Sequence, residues 1–233
     1  MVNNMQSRQK RVEEIVKILR QNYPKSRTAL KFETSIQILV STLLSAQCTD
    51  EKVNQITPNL FKKYKTAADF AKANQKELED EIRSTGFFRN KARNIINACQ
   101  KIESDFSGNV PDNMNDLLSL PGVARKTANI VLSSAFKKAE GIAVDTHVRR
   151  LSWRLGLSKE KDPVKIEKDL MAIVPKSDWL DFNYMLVNHG RKVCQARKIG
   201  CISCVLRHVC PSAEKFSSTG HKKGKDNSEC KRK

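Results

Sequence analysis

Apolar residues recur at spacings of three and four along most of the chain, and the strict alternation of a strand is nearly absent. Val12, Ile15, Val16 and Leu19 share one face and predict an amphipathic helix up to about Tyr23, which Pro24 stops. Residues 36–46 are apolar nearly all round, the mark of a buried central helix. Further helices are predicted to start near Asp50, Thr66 and Asn74, behind capping residues. Over 89–106, Ile95, Ile96, Cys99, Ile102 and Phe106 form a face. Helices follow over 112–119, 125–136, 145–156, 162–174 and 178–195. About ten helices with short connections give an all-α protein. Residues 213–233 carry no apolar period, and seven Lys/Arg against three Asp/Glu predict a disordered basic tail.

Charge changes the picture. The 233 residues contain 43 Lys+Arg and 25 Asp+Glu, a formal net charge of +18, which attracts polyanions. The most apolar run is too short and too polar to span a bilayer, and no apolar leader opens the chain. A cytosolic or nuclear setting is expected, and there an odd count of seven cysteines argues for metal ligation over disulfides.

Four of those cysteines are tightly spaced: Cys194, Cys201, Cys204 and Cys210 follow C-x6-C-x2-C-x5-C. Thiolates in this number are soft ligands for zinc or an iron–sulfur cluster, and spacing alone leaves both open. The surrounding stretch, 182–213, has no acidic residue but carries Arg191, Lys192, Arg197, Lys198 and Arg207, a setting for phosphate.

Upstream, Leu120-Pro121-Gly122-Val123-Ala124-Arg125-Lys126 joins two predicted helices. Gly122 permits a tight turn, Val123 can plug into the helix pair, and the next helix opens with free N–H groups that suit phosphate. Lys126 has two readings. It is a cation for phosphate, or an amine whose charged form is disfavoured by the helix dipole and Arg125, as a nucleophile requires. Asp145 likewise reads as the N-cap of the next helix, a role compatible with facing a pocket and stabilising positive charge there.

Taken together, Leu43-Leu44-Ser45-Ala46-Gln47, the hairpin with Lys126-Thr127-Ala128-Asn129, Val144-Asp145-Thr146-His147 and the four cysteines resemble the endonuclease III family of helix–hairpin–helix DNA glycosylases. The resemblance covers about residues 8 to 212. It implies a six-helix barrel domain over 28–139, and a second domain over 1–27 and 140–212 holding a 4Fe–4S cluster on Cys194, Cys201, Cys204 and Cys210. A DNA-binding cleft would lie between them. It further implies Lys126 as nucleophile with Asp145 as partner, Gln47 filling the gap left by a flipped base, and Phe87 wedging into the stack. Gly122, Val123, Ala124 and Arg125 would contact DNA at the hairpin.

The implied activity is a bifunctional glycosylase and abasic-site lyase acting, as a monomer, on double-stranded DNA with damaged pyrimidines or abasic sites. Ala124 stands where the family commonly has a second glycine, and its backbone N–H is retained. The rival readings are a monofunctional mismatch glycosylase, which usually lacks the lysine, and a noncatalytic DNA-binding module with a structural metal.

Overall fold

Capping residues set the register of most helices, as their positions in the sequence predict. The computed structural model describes residues 2–217. Its α-helices are α1 (Val2–Asn22), α2 (Ser35–Leu44), α3 (Asp50–Lys63), α4 (Ala67–Ala71), α5 (Gln75–Ile82) and α6 (Phe88–Phe106). They continue with α7 (Met114–Ser119), α8 (Arg125–Ala135), α9 (Thr146–Arg154), α10 (Pro163–Ile173), α11 (Trp179–Lys192) and α12 (Ala213–Ser217). Short 3-10 turns cover Arg83–Thr85, Lys176–Asp178 and Arg207–Val209. Among the described residues there is no strand, only an isolated bridge between Cys194 and Ile199.

Thr34, Thr49, Asn74, Asn113 and Asp162 each accept a backbone N–H at the start of a helix, and Thr66 with Asp69 forms a capping box. Each cap satisfies N–H donors that would otherwise need water.

Two apolar cores result. The first is drawn from residues 30–132: α2 is buried on nearly every face, with Ile38, Leu39 and Leu44 fully enclosed, and packs against α8 and α6. The second joins Val12, Ile15, Val16 and Leu19 of α1 to residues 142–206, where α9 and α11 pack closely. Gly190 on α11 permits that approach, because an added Cβ would sit 2.8 Å from His147 Nδ1.

Two expectations change at the C-terminal side. The helix predicted to reach residue 195 ends at Lys192, because the chain turns there and presents the Cys194 carbonyl to Arg150 and Arg154. The tail predicted from residue 213 is corrected over its first five residues, since Ala213–Ser217 is helical, with Ala213 buried and Phe216 stacked 4.9 Å from the Arg154 guanidinium. The remainder of that predicted tail lies outside the described residues. No helix among the described residues is long and apolar enough to cross a membrane.

Candidate nucleic-acid interface and active-site cleft

The two cores meet across a polar seam. Arg125 Nε and Asn129 Nδ2 of α8 donate to the buried Glu167 of α10 at 2.6 and 2.7 Å. Gly141 makes this junction possible, because a Cβ there would lie 2.1 Å from Glu167 Oε1 and 2.7 Å from Asn129 Oδ1. Ser134 and Tyr184 hydroxyls meet at 3.1 Å, Asn188 Nδ2 donates to Ser26 Oγ at 3.1 Å, and Arg191 pairs with Asp50 at 2.8 Å.

Between these struts opens a cleft of about 230 Å³. Lys126 and Asp145 both line it, one from the first turn of α8 and the other from the start of α9, although 19 positions separate them in the sequence. Asp145 is the N-cap of α9: one carboxylate oxygen accepts the Val148 N–H at 2.8 Å, leaving the other available to the cleft. Lys126 is exposed and has no ion-pair or hydrogen-bond partner among the described residues. Arg27, Cys48, Asn183, Tyr184 and Arg191 line the same cleft. Arg150 donates to His147 Nδ1 at 3.0 Å, and burial lowers the His147 pKa. The guanidinium can only donate, so His147 Nδ1 is the acceptor of that bond.

The hairpin is built as its sequence predicts. Val123 N–H bonds the Leu120 carbonyl at 3.1 Å, and both side chains are buried. Gly122 takes φ +78°, and a Cβ there would press to 2.9 Å from Asn94, so glycine serves both the turn and its seat on α6. Ala124, the N-cap of α8, has no side chain able to cap, which leaves the first-turn N–H groups open beside Lys126. Arg125, expected to contact DNA, bonds Glu167 through Nε and so also links α8 to α10.

Gln47 and Phe87 stand on two separate loops, both with left-handed backbone, φ +54° and +48°. Gln47 is exposed, and Phe87 is 62% exposed, an unusual position for a large apolar side chain. Its neighbour Phe88 is instead clasped between Arg83 and Arg89, each 5.4 Å from the ring.

All four cysteines, Cys194, Cys201, Cys204 and Cys210, line one small cavity with Leu151, Leu155 and Leu206. Burial pushes the Cys204 thiol up to about 11, and neighbouring thiols push the same way. Arg154 Nη1 lies 3.3 Å from Cys194 Sγ, and His189 Nε2 lies 3.5 Å from Cys204 Sγ. Among the described residues no three His, Cys, Asp or Glu side chains converge as ligands of one metal ion, so the thiols surround the cavity rather than meet at a point. The donor set is that of a thiolate-ligated centre, and ionising four thiols in so apolar a cavity calls for a positive centre among them. Arg207 also lines the cavity, and Arg197 and Lys198 outside it are exposed, as Arg207 is.

Residues 40–176 match the model of the HhH-GPD superfamily base excision DNA repair proteins. The endonuclease III of Synechocystis sp. is 52% identical over 214 residues, 92% of this chain and 98% of that protein. A solved non-covalent endonuclease III–DNA complex aligns with a TM-score of 0.85 at 39% identity, covering 90% of this chain and 98% of that one. A trapped endonuclease III–DNA covalent intermediate aligns with the same TM-score, identity and coverage. The chain belongs to the endonuclease III family.

Within this family member, Glu167 is the site residue that motif reading passes over. It lies on the apolar stripe of α10, three residues before Leu170, and a carboxylate there was a visible signal of a buried partner. Glu167→Ala removes the acceptor shared by Arg125 and Asn129, and is expected to lower unfolding stability by about 1–3 kcal/mol. Chemical denaturation measures this; wild-type stability in the variant would contradict the strut.

Proposed function

We propose that the chain is a bifunctional DNA glycosylase and abasic-site lyase, acting as a monomer on damaged pyrimidines and abasic sites in double-stranded DNA. The observation that carries the reading is the pairing of Lys126 and Asp145 in one cleft beside the open N-terminus of α8. The open N–H groups and the hairpin would hold backbone phosphate, and the flipped nucleotide would enter the cleft. Gln47 would fill the vacated space and Phe87 would part the neighbouring bases. Exposed, outward-held side chains favour those roles. Gly122, Val123 and Ala124 would contribute through backbone alone.

In this mechanism the neutral Lys126 amine attacks the sugar C1′. The glycosidic C–N bond breaks and its electron pair leaves with the base, which takes up a proton. The Lys126 nitrogen gives up its proton, the sugar ring opens, and a Schiff base joins Nζ to C1′. Loss of a C2′ proton then expels the 3′ phosphate, cutting the strand on the 3′ side. Asp145 would stabilise positive charge developing on the sugar and relay the amine proton. The division into a barrel domain over 28–139 and a second domain over 1–27 and 140–212 is favoured by the two separate apolar cores.

Cys194, Cys201, Cys204 and Cys210 would hold a 4Fe–4S cluster. It would supply structure, bracing the cationic loop that carries Arg197, Lys198 and Arg207, with no redox step needed in bond breaking. A cytosolic or nucleoid setting would suit such a cluster, since reducing compartments keep thiols free.

Borohydride reduces a Schiff base to a stable amine, so the wild-type chain is expected to become covalently trapped on duplex DNA containing thymine glycol. Lys126→Ala should abolish trapping, and trapping that persists would sink the nucleophile assignment. Asp145→Asn keeps a competent N-cap while removing the charge. It should lower single-turnover base release by about 100-fold with DNA affinity largely retained. Equal losses in both would reduce Asp145 to a structural cap. For the cysteines, metal analysis should return iron and acid-labile sulfide in equal amounts, and Cys204→Ala should lose both and melt earlier. Zinc without sulfide would refute the cluster.

A further inference from the structure

Lys91 is the one buried lysine among the described residues, 6% exposed in the first turns of α6, and no acidic side chain pairs with it. Its ammonium instead donates to two backbone carbonyls, Leu44 at 2.7 Å and Thr85 at 2.9 Å. Burial alone would favour the neutral amine, and the nearby Cys48 opposes this. An apolar side chain of similar length would fill this space without burying a charge. The charge therefore calls for an account beyond packing.

The two carbonyls supply one. Leu44 is the last residue of α2, where the helix dipole is negative and carbonyls lack intrahelical partners. Three residues later comes Gln47. Thr85 closes the 3-10 turn, its hydroxyl fixed to the Ile82 carbonyl at 2.8 Å, and Phe87 follows two residues on. The Lys91 backbone N–H also bonds the Phe87 carbonyl at 3.1 Å. One residue thus fastens the roots of both exposed loops, which otherwise belong to different segments of the chain.

We propose that Lys91 is a positioning residue that locks the Gln47 and Phe87 loops into one unit, so that both enter the duplex in fixed relation as the nucleotide leaves. This rests on the glycosylase reading above and extends it to how a base pair is opened. Lys91 touches neither the substrate nor Lys126. Its loss should therefore slow extrusion while sparing chemistry on a sugar that needs none.

The test compares Lys91→Met with wild type on two substrates. On duplex thymine glycol, single-turnover base release should fall about tenfold or more, since small misplacements of positioning groups cost rates of that order. On a single-stranded abasic oligonucleotide, which has no partner base to displace, strand cutting should change by less than about twofold. In a Gln47→Ala/Phe87→Ala background, Lys91→Met should add less than about twofold to the loss on duplex, the non-additivity of residues acting as a unit. Equal losses on both substrates, or additive losses in that background, would overturn the proposal and leave Lys91 a fold residue. Should Lys91→Met fail to fold, Lys91→Gln, which removes the charge and keeps an amide NH2 on a shorter side chain, carries the same comparison. A wild-type chain that never traps on borohydride defeats the glycosylase reading and this proposal together. A wild type that traps, with variants that fail the comparison, defeats the Lys91 proposal alone.

Discussion

The cleft depends on a carboxylate removed from water. Glu167 lies at the seam of two apolar cores, and the second core's helix reaches the first through its bonds to Arg125 and Asn129. Two apolar cores have no directional preference for one another, because apolar burial is nearly blind to orientation. A buried carboxylate is not blind. It must find donors at hydrogen-bond distance, and here both lie one turn apart on α8. That requirement fixes where the N-terminus of α8, and Lys126 with it, faces the start of α9 and Asp145. Gly141 completes the constraint, since any side chain there would displace the carboxylate.

Helix ends divide the labour in a second way. Thr34, Thr49, Thr66, Asn74, Asn113, Asp145 and Asp162 close the N-termini of their helices with a side chain. At α6 and α8 the capping positions hold Phe87 and Ala124, whose side chains accept nothing. Their first-turn donors stay open to an outside acceptor. Stability is thus surrendered at the helix starts next to the Phe87 loop and the hairpin, while seven others are closed by a side chain.

Much of this was legible beforehand, because caps, breakers and apolar spacing act locally. Asp145 and Asp162 cap the helices their sequence contexts predict, and the buried character of residues 36–46 follows from composition alone. Tertiary partners were not legible. Lys91 falls on the same stripe as Ile95, Ala98 and Ile102, and Glu167 falls in line with Leu170. Each is visible as a charge where an apolar residue belongs. What each charge meets lies 47 and 42 positions away and depends on how helices cross, which periodicity does not encode. Arg125 shows the consequence: the motif gave no sign that its Nε would meet the buried Glu167. Residue 213 shows another, since the helix there depends on Arg154, 62 positions before Phe216, for its aromatic contact.

Backbone strain then separates the two exposed probes. Among the described residues, Gln47, Phe87, Ser107 and Lys137 are the non-glycine residues with positive φ. Ser107 and Lys137 follow the ends of α6 and α8, where a left-handed residue commonly terminates a helix by satisfying its last carbonyls. Gln47, just past α2, shares that ordinary setting. Phe87 does not, because it precedes a helix and is bulky, so neither its position nor its side chain favours the left-handed region. Such a conformation persists only where the surroundings over-determine it. Gly86 ahead of it at φ +71°, the Lys91 N–H on its own carbonyl, and the Lys91 ammonium on Thr85 supply that determination. The strain holds an aromatic ring in solvent, where burial would otherwise draw it into the barrel core, and a ring held outward can insert into a base stack without first being extracted from the protein.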